Sequence, residues 1–296
     1  MNTDMKDMEF RARAIAKNGS VRAAVENGDL PQFQAVSMVE ALVIGLLNQG
    51  VRKFLGVFGH GSTALGELLS VYEAAGLLKM WNLRNETEAA HCATMLKWHY
   101  NETAAVVTSI GPGALHAYAG ALASASNGIG VYHIYGDETT HDEGPNMQQI
   151  PISRQGSFLS LVNTMGSGYQ LHTPDSLFTA LRLGAATVFN PEFPGPFFLL
   201  LPMNTQASIM KACNLLELPE APRFTSAACV DLDVYARATE LARSAKAITI
   251  KLGGGARSCG PEVLELAKLL DAVIVPGAKM SGVVPYSAQR CMAVGG

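Results

Sequence analysis

The sequence predicts an α/β fold: a parallel sheet with helices on both faces, followed by a partial Rossmann-like unit. Two observations carry this. Short apolar runs of strand length alternate with longer helix-like segments, which is the pattern of a parallel sheet covered on both sides. The runs also end in glycine or polar residues, and in such sheets ligands sit beyond the carboxyl ends of the strands.

In order, residues 1–35 read as an N-terminal helical arm, with amphipathic helix over 5–28 broken at Gly19-Ser20. An α/β domain then spans 36–206. It opens on an apolar helix at 36–49. A strand at 53–58 leads into Gly59-His60-Gly61-Ser62 and a helix at 63–75. A strand at 78–83 leads into the helix that starts near Glu86. A strand at 104–109 leads into Gly111-Pro112-Gly113 and a helix at 114–126. A strand at 129–135 precedes a long polar loop, 136–156; a helix at 174–189 and a strand at 197–201 close the unit. Residues 207–231, with Pro219 and Pro222, resemble a linker. The last unit, 232–296, has a helix at 232–243, a strand at 247–251, Gly253-Gly254-Gly255, a helix at 261–270 and a strand at 272–275.

Composition narrows the function. Hydrophobic residues make up 48% of the 296 and charged residues 16%, ample for about two buried cores. A net charge of −3 with no basic block disfavours nucleic acid and anionic membranes as partners. No apolar run reaches the roughly 18 residues that span a bilayer. The polar start Met1-Asn2-Thr3-Asp4 has no signal-peptide pattern. Cys92, Cys213, Cys229, Cys259 and Cys291 show no paired spacing, so reduced thiols and a cytoplasmic location are expected.

Several stretches carry potential chemistry. Asn85 suits a helix N-cap, and Glu86 and Glu88 suit the positive end of that helix. A second reading has Glu86 pointing into a cleft, where a carboxyl at a helix start serves acid–base work. Gly111-Pro112-Gly113 lets backbone approach a ligand and offers helix-start N–H groups, or is simply a tight turn. His60, between two glycines, is a candidate proton carrier, although loop histidines are commonly without function. The run from His133 to Glu143 gathers oxygen and nitrogen donors, yet matches no closed zinc or calcium loop; it reads as a solvated acidic loop, and no metal ligand is assigned. Residues 253–258 fill two glycine positions of a dinucleotide fingerprint but carry Ser258 at the third, so they read as a glycine turn.

Together Phe58-Gly59, Asn85-Glu86 with His91, Thr108-Ser109-Ile110-Gly111-Pro112-Gly113-Ala114, and Pro194-Gly195-Pro196 leading to Leu201-Pro202 and Gln206 resemble the pyrimidine-binding domain of thiamine diphosphate enzymes of the acetolactate synthase superfamily. The resemblance covers about 40–206 and extends over 232–296 as the start of that family's middle domain. Phe58-Gly59-His60-Gly61, Asn85-Glu86 and Gln148-Gln149 look most like members that cleave a cyclic 1,2-dione.

The resemblance implies that Glu86 hydrogen-bonds the pyrimidine nitrogen of the cofactor. Proton sharing there favours the imino form of the neighbouring amine, the base that activates the thiazolium. It implies that Gly59, Gly111, Pro112 and Gly113 border the cofactor, that His60 and Gln148 face the substrate, and that His60 carries its proton. His91 is expected to be structural. His116 stands where many relatives have asparagine. The family's diphosphate signature, Gly-Asp-Gly with paired asparagines downstream, is matched only by Gly136-Asp137-Glu138, which lacks the third glycine.

The expected function is therefore a subunit of a thiamine diphosphate enzyme that makes or breaks a C–C bond next to the carbonyl of a 2-oxo acid or cyclic 1,2-dione. A partner subunit is expected to carry the diphosphate domain and the Mg²⁺ ligands, in a hetero-oligomer such as a heterotetramer. The alternatives are an acetolactate synthase-like carboligase subunit and a non-catalytic regulatory module of the same fold. The chain is either one half of a split enzyme or a piece of a longer protein.

Overall fold

Capping and apolar patterning set the first elements. The computed structural model describes residues 2–141, 156–222, 231–277, 280, 282–288 and 291. It divides into two units, Met1–Pro222 and Arg223–Gly296. The first opens with helices α1 (Asn2–Asn18) and α2 (Val21–Glu26), the second capped by Ser20, whose hydroxyl accepts from the Ala23 N–H. Strand β1 (Phe33–Ser37) leads directly into α3 (Met38–Asn48), capped in the same way by Ser37. All but the last residue of α3 are buried.

The arm is fastened to α3 by a buried ion pair. Arg11 donates from Nε and Nη2 to Glu40 Oε1 and Oε2 at 2.8 and 2.6 Å, and the Tyr72 hydroxyl donates to Oε1 at 3.0 Å. A two-pronged guanidinium–carboxylate contact fixes geometry as well as charge.

The central sheet follows as β2 (Lys53–Val57), α4 (Thr63–Ala74), β3 (Lys79–Asn82), α5 (Glu86–Tyr100), β4 (Ala104–Thr108), α6 (Pro112–Asn127) and β5 (Val131–Asp137). It continues through α7 (Ser157–Val162), β6 (Ser167–Gln170), α8 (Leu177–Val188), β7 (Pro196–Pro202) and the short α9 (Met203–Gln206). Six parallel strands lie in the order β3-β2-β4-β5-β7-β6. One core packs α3, α4 and α8 against Ala105, Val107, Tyr132, Ile134, Phe197 and Leu199. The other packs α5, α6 and α7 against Ala104, Val106, Val131, Tyr135, Phe198 and Leu200. Successive strand residues alternate between the two cores, so both faces are buried, as a parallel sheet requires.

The direction of winding reverses beside β2. From β2 the chain moves outward to β3, then returns past β2 to β4. The helices that follow β2 and β4 therefore lie on opposite faces of the sheet, and the carboxyl end between them is the usual ligand position.

The expected parallel sheet is found, together with elements that the sequence pattern does not announce. α7 and β6 are short, and β6 reads Ser-Gly-Tyr-Gln, without an apolar run. The unit closes with β8 (Ile209–Asn214), which pairs antiparallel with β1 inside a stretch read from sequence as a linker. Both strands are half exposed, so neither shows a core pattern. Strand β5 also runs two residues further than expected, to Asp137, because β7 pairs with it as far as Pro202.

The second unit contains α10 (Leu232–Ser244), β9 (Thr249–Leu252), α11 (Gly260–Leu269) and β10 (Val273–Pro276). β9 and β10 are parallel, and Leu252, Val263, Ala267, Ala272 and Ile274 lie in its small core. Pro261 sits in the first turn of α11, and the three glycines follow β9 as a tight turn.

One buried group ties stability to pH. His133 stacks on Phe198 at 5.0 Å between ring centres, and its Nδ1 lies 3.0 Å from the Tyr135 hydroxyl. Its Nε2 is buried without a hydrogen-bond partner among the described residues. Burial pushes the imidazole down to about 3, against an ordinary value near 6.5. The folded state thus holds His133 neutral. Its contribution is fully present above about pH 6.5 and is lost as pH falls toward about 3, because the unfolded chain takes the proton first. Urea unfolding between pH 7 and 4 should show a loss on the order of 3–5 kcal/mol over the full window. His133→Leu should flatten that slope; equal slopes in both proteins would contradict this account.

Candidate active site

The candidate site is built around Ser109–Gly113, the turn after β4. On one side stands Glu86, the first residue of α5. Asn85 caps this helix, its side chain accepting from the Glu88 N–H at 2.8 Å. Glu86 is thereby held where the helix dipole favours a carboxylate. Its side chain is only 13% exposed, and Oε2 lies 3.2 Å from His116 Nδ1. Oε1 faces the glycine turn: a Cβ placed on Gly113 would sit 3.0 Å from it. Gly111 takes a positive φ of 66° ahead of α6, and Pro112 opens that helix. Thr87 helps fix the junction, its hydroxyl donating to the His116 carbonyl at 2.9 Å.

On the other side lies the loop after β2. The His60 carbonyl accepts from the Ile110 N–H at 3.3 Å and from the Ser109 hydroxyl. Gly59 rests on Ser109, and the Gly61 carbonyl accepts from Gln206 Nε2 at 2.7 Å. The loop crosses the end of β4 and meets β5: a Cβ on Gly136 would fall 2.7 Å from the Gly61 carbonyl carbon and oxygen. The His60 ring is half exposed and faces Glu138 rather than Glu86, with Nε2 4.0 Å from Oε1.

The structure thus brings Glu86, Gly113 and His116 into contact and docks Gly59 and His60 on the same turn from the opposite side. His91 is exposed on α5, away from these contacts. Gln148 and Gln149 lie outside the described residues. The reading of 133–143 as a solvated acidic loop needs correction. His133, Tyr135, Asp137 and Glu138 are all buried, because β5 extends beside β7 and its tail turns under the His60 loop. Asp137 is held by Gln170 Nε2 at 2.6 Å. The burial of Glu138 is what the sequence hides, since it comes from neighbours remote in the chain. His116 was visible only as an unusual residue. Among the described residues no group of three or more His, Cys, Asp or Glu side chains converges on a metal position, and no helix is long and apolar enough to cross a membrane.

A doubly wound parallel sheet with a carboxyl and a glycine turn at its switch point defines a coenzyme-binding α/β domain. Residues 37–157 match the family "Thiamine pyrophosphate enzyme, N-terminal TPP binding domain", and the domain that contains them belongs to the thiamine diphosphate enzyme superfamily. A 3D-(3,5/4)-trihydroxycyclohexane-1,2-dione hydrolase of Clostridium perfringens is 26% identical over 211 residues, 68% of this chain and 32% of the relative. The enzyme of that name from Geobacillus thermodenitrificans is 27% identical over 217 residues, 70% of this chain and 33% of its own. That of Bacillus subtilis is 26% identical over 229 residues, 74% and 35%. The chain spans about a third of the length of these relatives.

The contact between Gly61 and Gly136 is open to test. Gly136→Ala sets a Cβ against main chain that has no slack. It should destabilise the first unit by about 1–3 kcal/mol in urea unfolding; unchanged stability would show that the His60 loop does not lean on β5.

Proposed function

We propose that this chain supplies the pyrimidine side of a thiamine diphosphate enzyme that makes or breaks a C–C bond next to a carbonyl, with a cyclic 1,2-dione favoured over a 2-oxo acid as substrate class. The observation that carries it is the Glu86 carboxyl: mostly buried, fixed at a helix start, with Oε1 directed at Gly113. The names of the similar hydrolases support the dione.

The residues present suit the cofactor. The space that a side chain at 113 would fill is left open beside Oε1, and the turn has only glycine and proline at 111–113. A flat heteroaromatic ring can approach such backbone closely. When bound, thiamine diphosphate supplies a nucleophilic carbon that attacks a carbonyl and then stores the electron pair released by bond cleavage.

The chain's own part is proton handling and placement. Glu86 would hold a proton at Oε1 for the ring nitrogen of the bound pyrimidine. His116 occupies Oε2, so the carboxyl keeps one oxygen for the ligand. Gly59, Gly111, Pro112 and Gly113 border the ring. His60 takes a proton from the substrate and returns it, with Gln148 as a further substrate contact. A partner subunit grips the diphosphate and its Mg²⁺, in a hetero-oligomer such as a heterotetramer. A reducing cytoplasm suits the free thiols of Cys92, Cys213 and Cys259.

The test is Glu86→Gln in the assembled enzyme. Exchange of the thiazolium C2 proton with deuterium, followed by NMR, should slow by about 10²–10⁴-fold, while thiamine diphosphate still binds by fluorescence titration. Exchange at the unmodified rate would reject the assignment.

A further inference from the structure

The Glu138 carboxyl has no task in the account so far. Its side chain is 7% exposed, and Oε1 is buried with no hydrogen-bond partner among the described residues. A carboxylate oxygen stripped of water and given no donor costs free energy, and the fold does not call for one here. Its neighbour Asp137 is already satisfied by Gln170.

The backbone that carries Glu138 is fixed on both sides. Its own N–H donates to Asp137 Oδ1 at 3.0 Å. Two residues on, Thr140 and Asn204 are joined twice: Thr140 N–H to Asn204 Oδ1 at 3.0 Å, and Asn204 Nδ2 to Thr140 Oγ1 at 2.9 Å. The loop that carries His60 is held equally by Ile110, Ser109 and Gln206. Between two fixed backbones, the movable part is the His60 ring, half exposed and 4.0 Å from the unpartnered oxygen. Rotation within the ring's own side chain would bring Nε2–H into hydrogen-bond range of about 2.8 Å.

We propose that Glu138 is the positioning residue for His60: it accepts from Nε2–H, fixes the ring's tautomer and leaves Nδ1 as the nitrogen that exchanges protons with the substrate. This rests on the reading of His60 as the substrate-side proton carrier. The proton balance is simple. Nδ1 takes a proton from a substrate hydroxyl, the ring becomes an imidazolium beside the Glu138 carboxylate, and the same proton leaves Nδ1 when it is returned. Glu138 itself gains none, so the pair works as an oriented base with a fixed counter-charge.

The first test needs only the full chain, labelled with ¹⁵N. In ring spectra the His60 Nε2 resonance should carry a hydrogen-bond shift that Glu138→Leu removes, while His116 is unmoved. An identical His60 resonance in both proteins would overturn the proposal. Urea unfolding should find Glu138→Leu and Glu138→Gln about as stable as the parent, since the one hydrogen bond each removes is to a half-exposed ring. Clear destabilisation of both would mark Glu138 as structural instead.

The second test uses the assembled enzyme with cyclohexane-1,2-dione and pyruvate as probe substrates. Glu138→Gln should lower kcat by about 10-fold or more with KM little changed, and should cost nothing further once His60→Asn is present. A loss of equal size in both backgrounds would contradict a role through His60. Loss at Glu86→Gln without loss at Glu138→Gln would sink this proposal alone; loss at neither would sink the site reading beneath it.

Discussion

The close approach of α5 and α6 is the constraint on which the site depends. Ala89, Ala90 and Ala93 of one helix meet Ala114, Ala117 and Ala121 of the other in the same core. At Gly120 there is no room for a side chain, because a Cβ would lie 2.8 Å from Ala90 Cβ and 2.9 Å from the Thr87 carbonyl. Small residues let two helices pack backbone to backbone, where larger ones would hold them apart. The result is that the start of α5 lies over the start of α6. Glu86 reaches Gly113 and His116 for that reason, across about one helix-strand repeat of sequence.

Two sides of the candidate site meet on one turn. Residues 109–113 receive Glu86 from the side of α5 and α6, and the backbone of His60 from the loop after β2. The two loops lead to helices on opposite faces, the arrangement at which parallel sheets usually take their ligands. Each functional side chain then has its own support: Asn85 and His116 around Glu86, Gln206 and Gly136 around the His60 loop. Such support gives a site its precision, since the supporting groups limit where each reacting atom can go. The arm contributes at a distance, through the Arg11–Glu40–Tyr72 cluster that locks α1 onto α3 and α4.

Much of this was legible in the residues, and the parts that were not share one cause. β4 reads Ala-Ala-Val-Val-Thr and is buried throughout, so an apolar run sufficed. Asn85 with Glu88 three residues on announces a helix start, and the cap is there. Gly111-Pro112-Gly113 marks a turn into a helix by chemistry alone. By contrast, β6 has the polar reading Ser-Gly-Tyr-Gln, and β1 and β8 find each other only across the whole first unit. Glu138 looks like any acidic loop residue until β7 extends β5 beneath it. His133 looks like a metal ligand and is a stacked core ring. Contacts set by tertiary packing, rather than by local pattern, are the ones a single sequence conceals.

The central claim is that the Glu86 carboxyl keeps Oε1 free for the aminopyrimidine of a coenzyme. A crystal structure of the assembled enzyme with thiamine diphosphate tests it most directly. The account predicts Oε1 within about 3 Å of the pyrimidine ring nitrogen, with His116 still on Oε2 and the ring laid against Gly111–Gly113. A cofactor bound elsewhere, or a Glu86 side chain turned out to solvent beside a correctly placed ring, would contradict it.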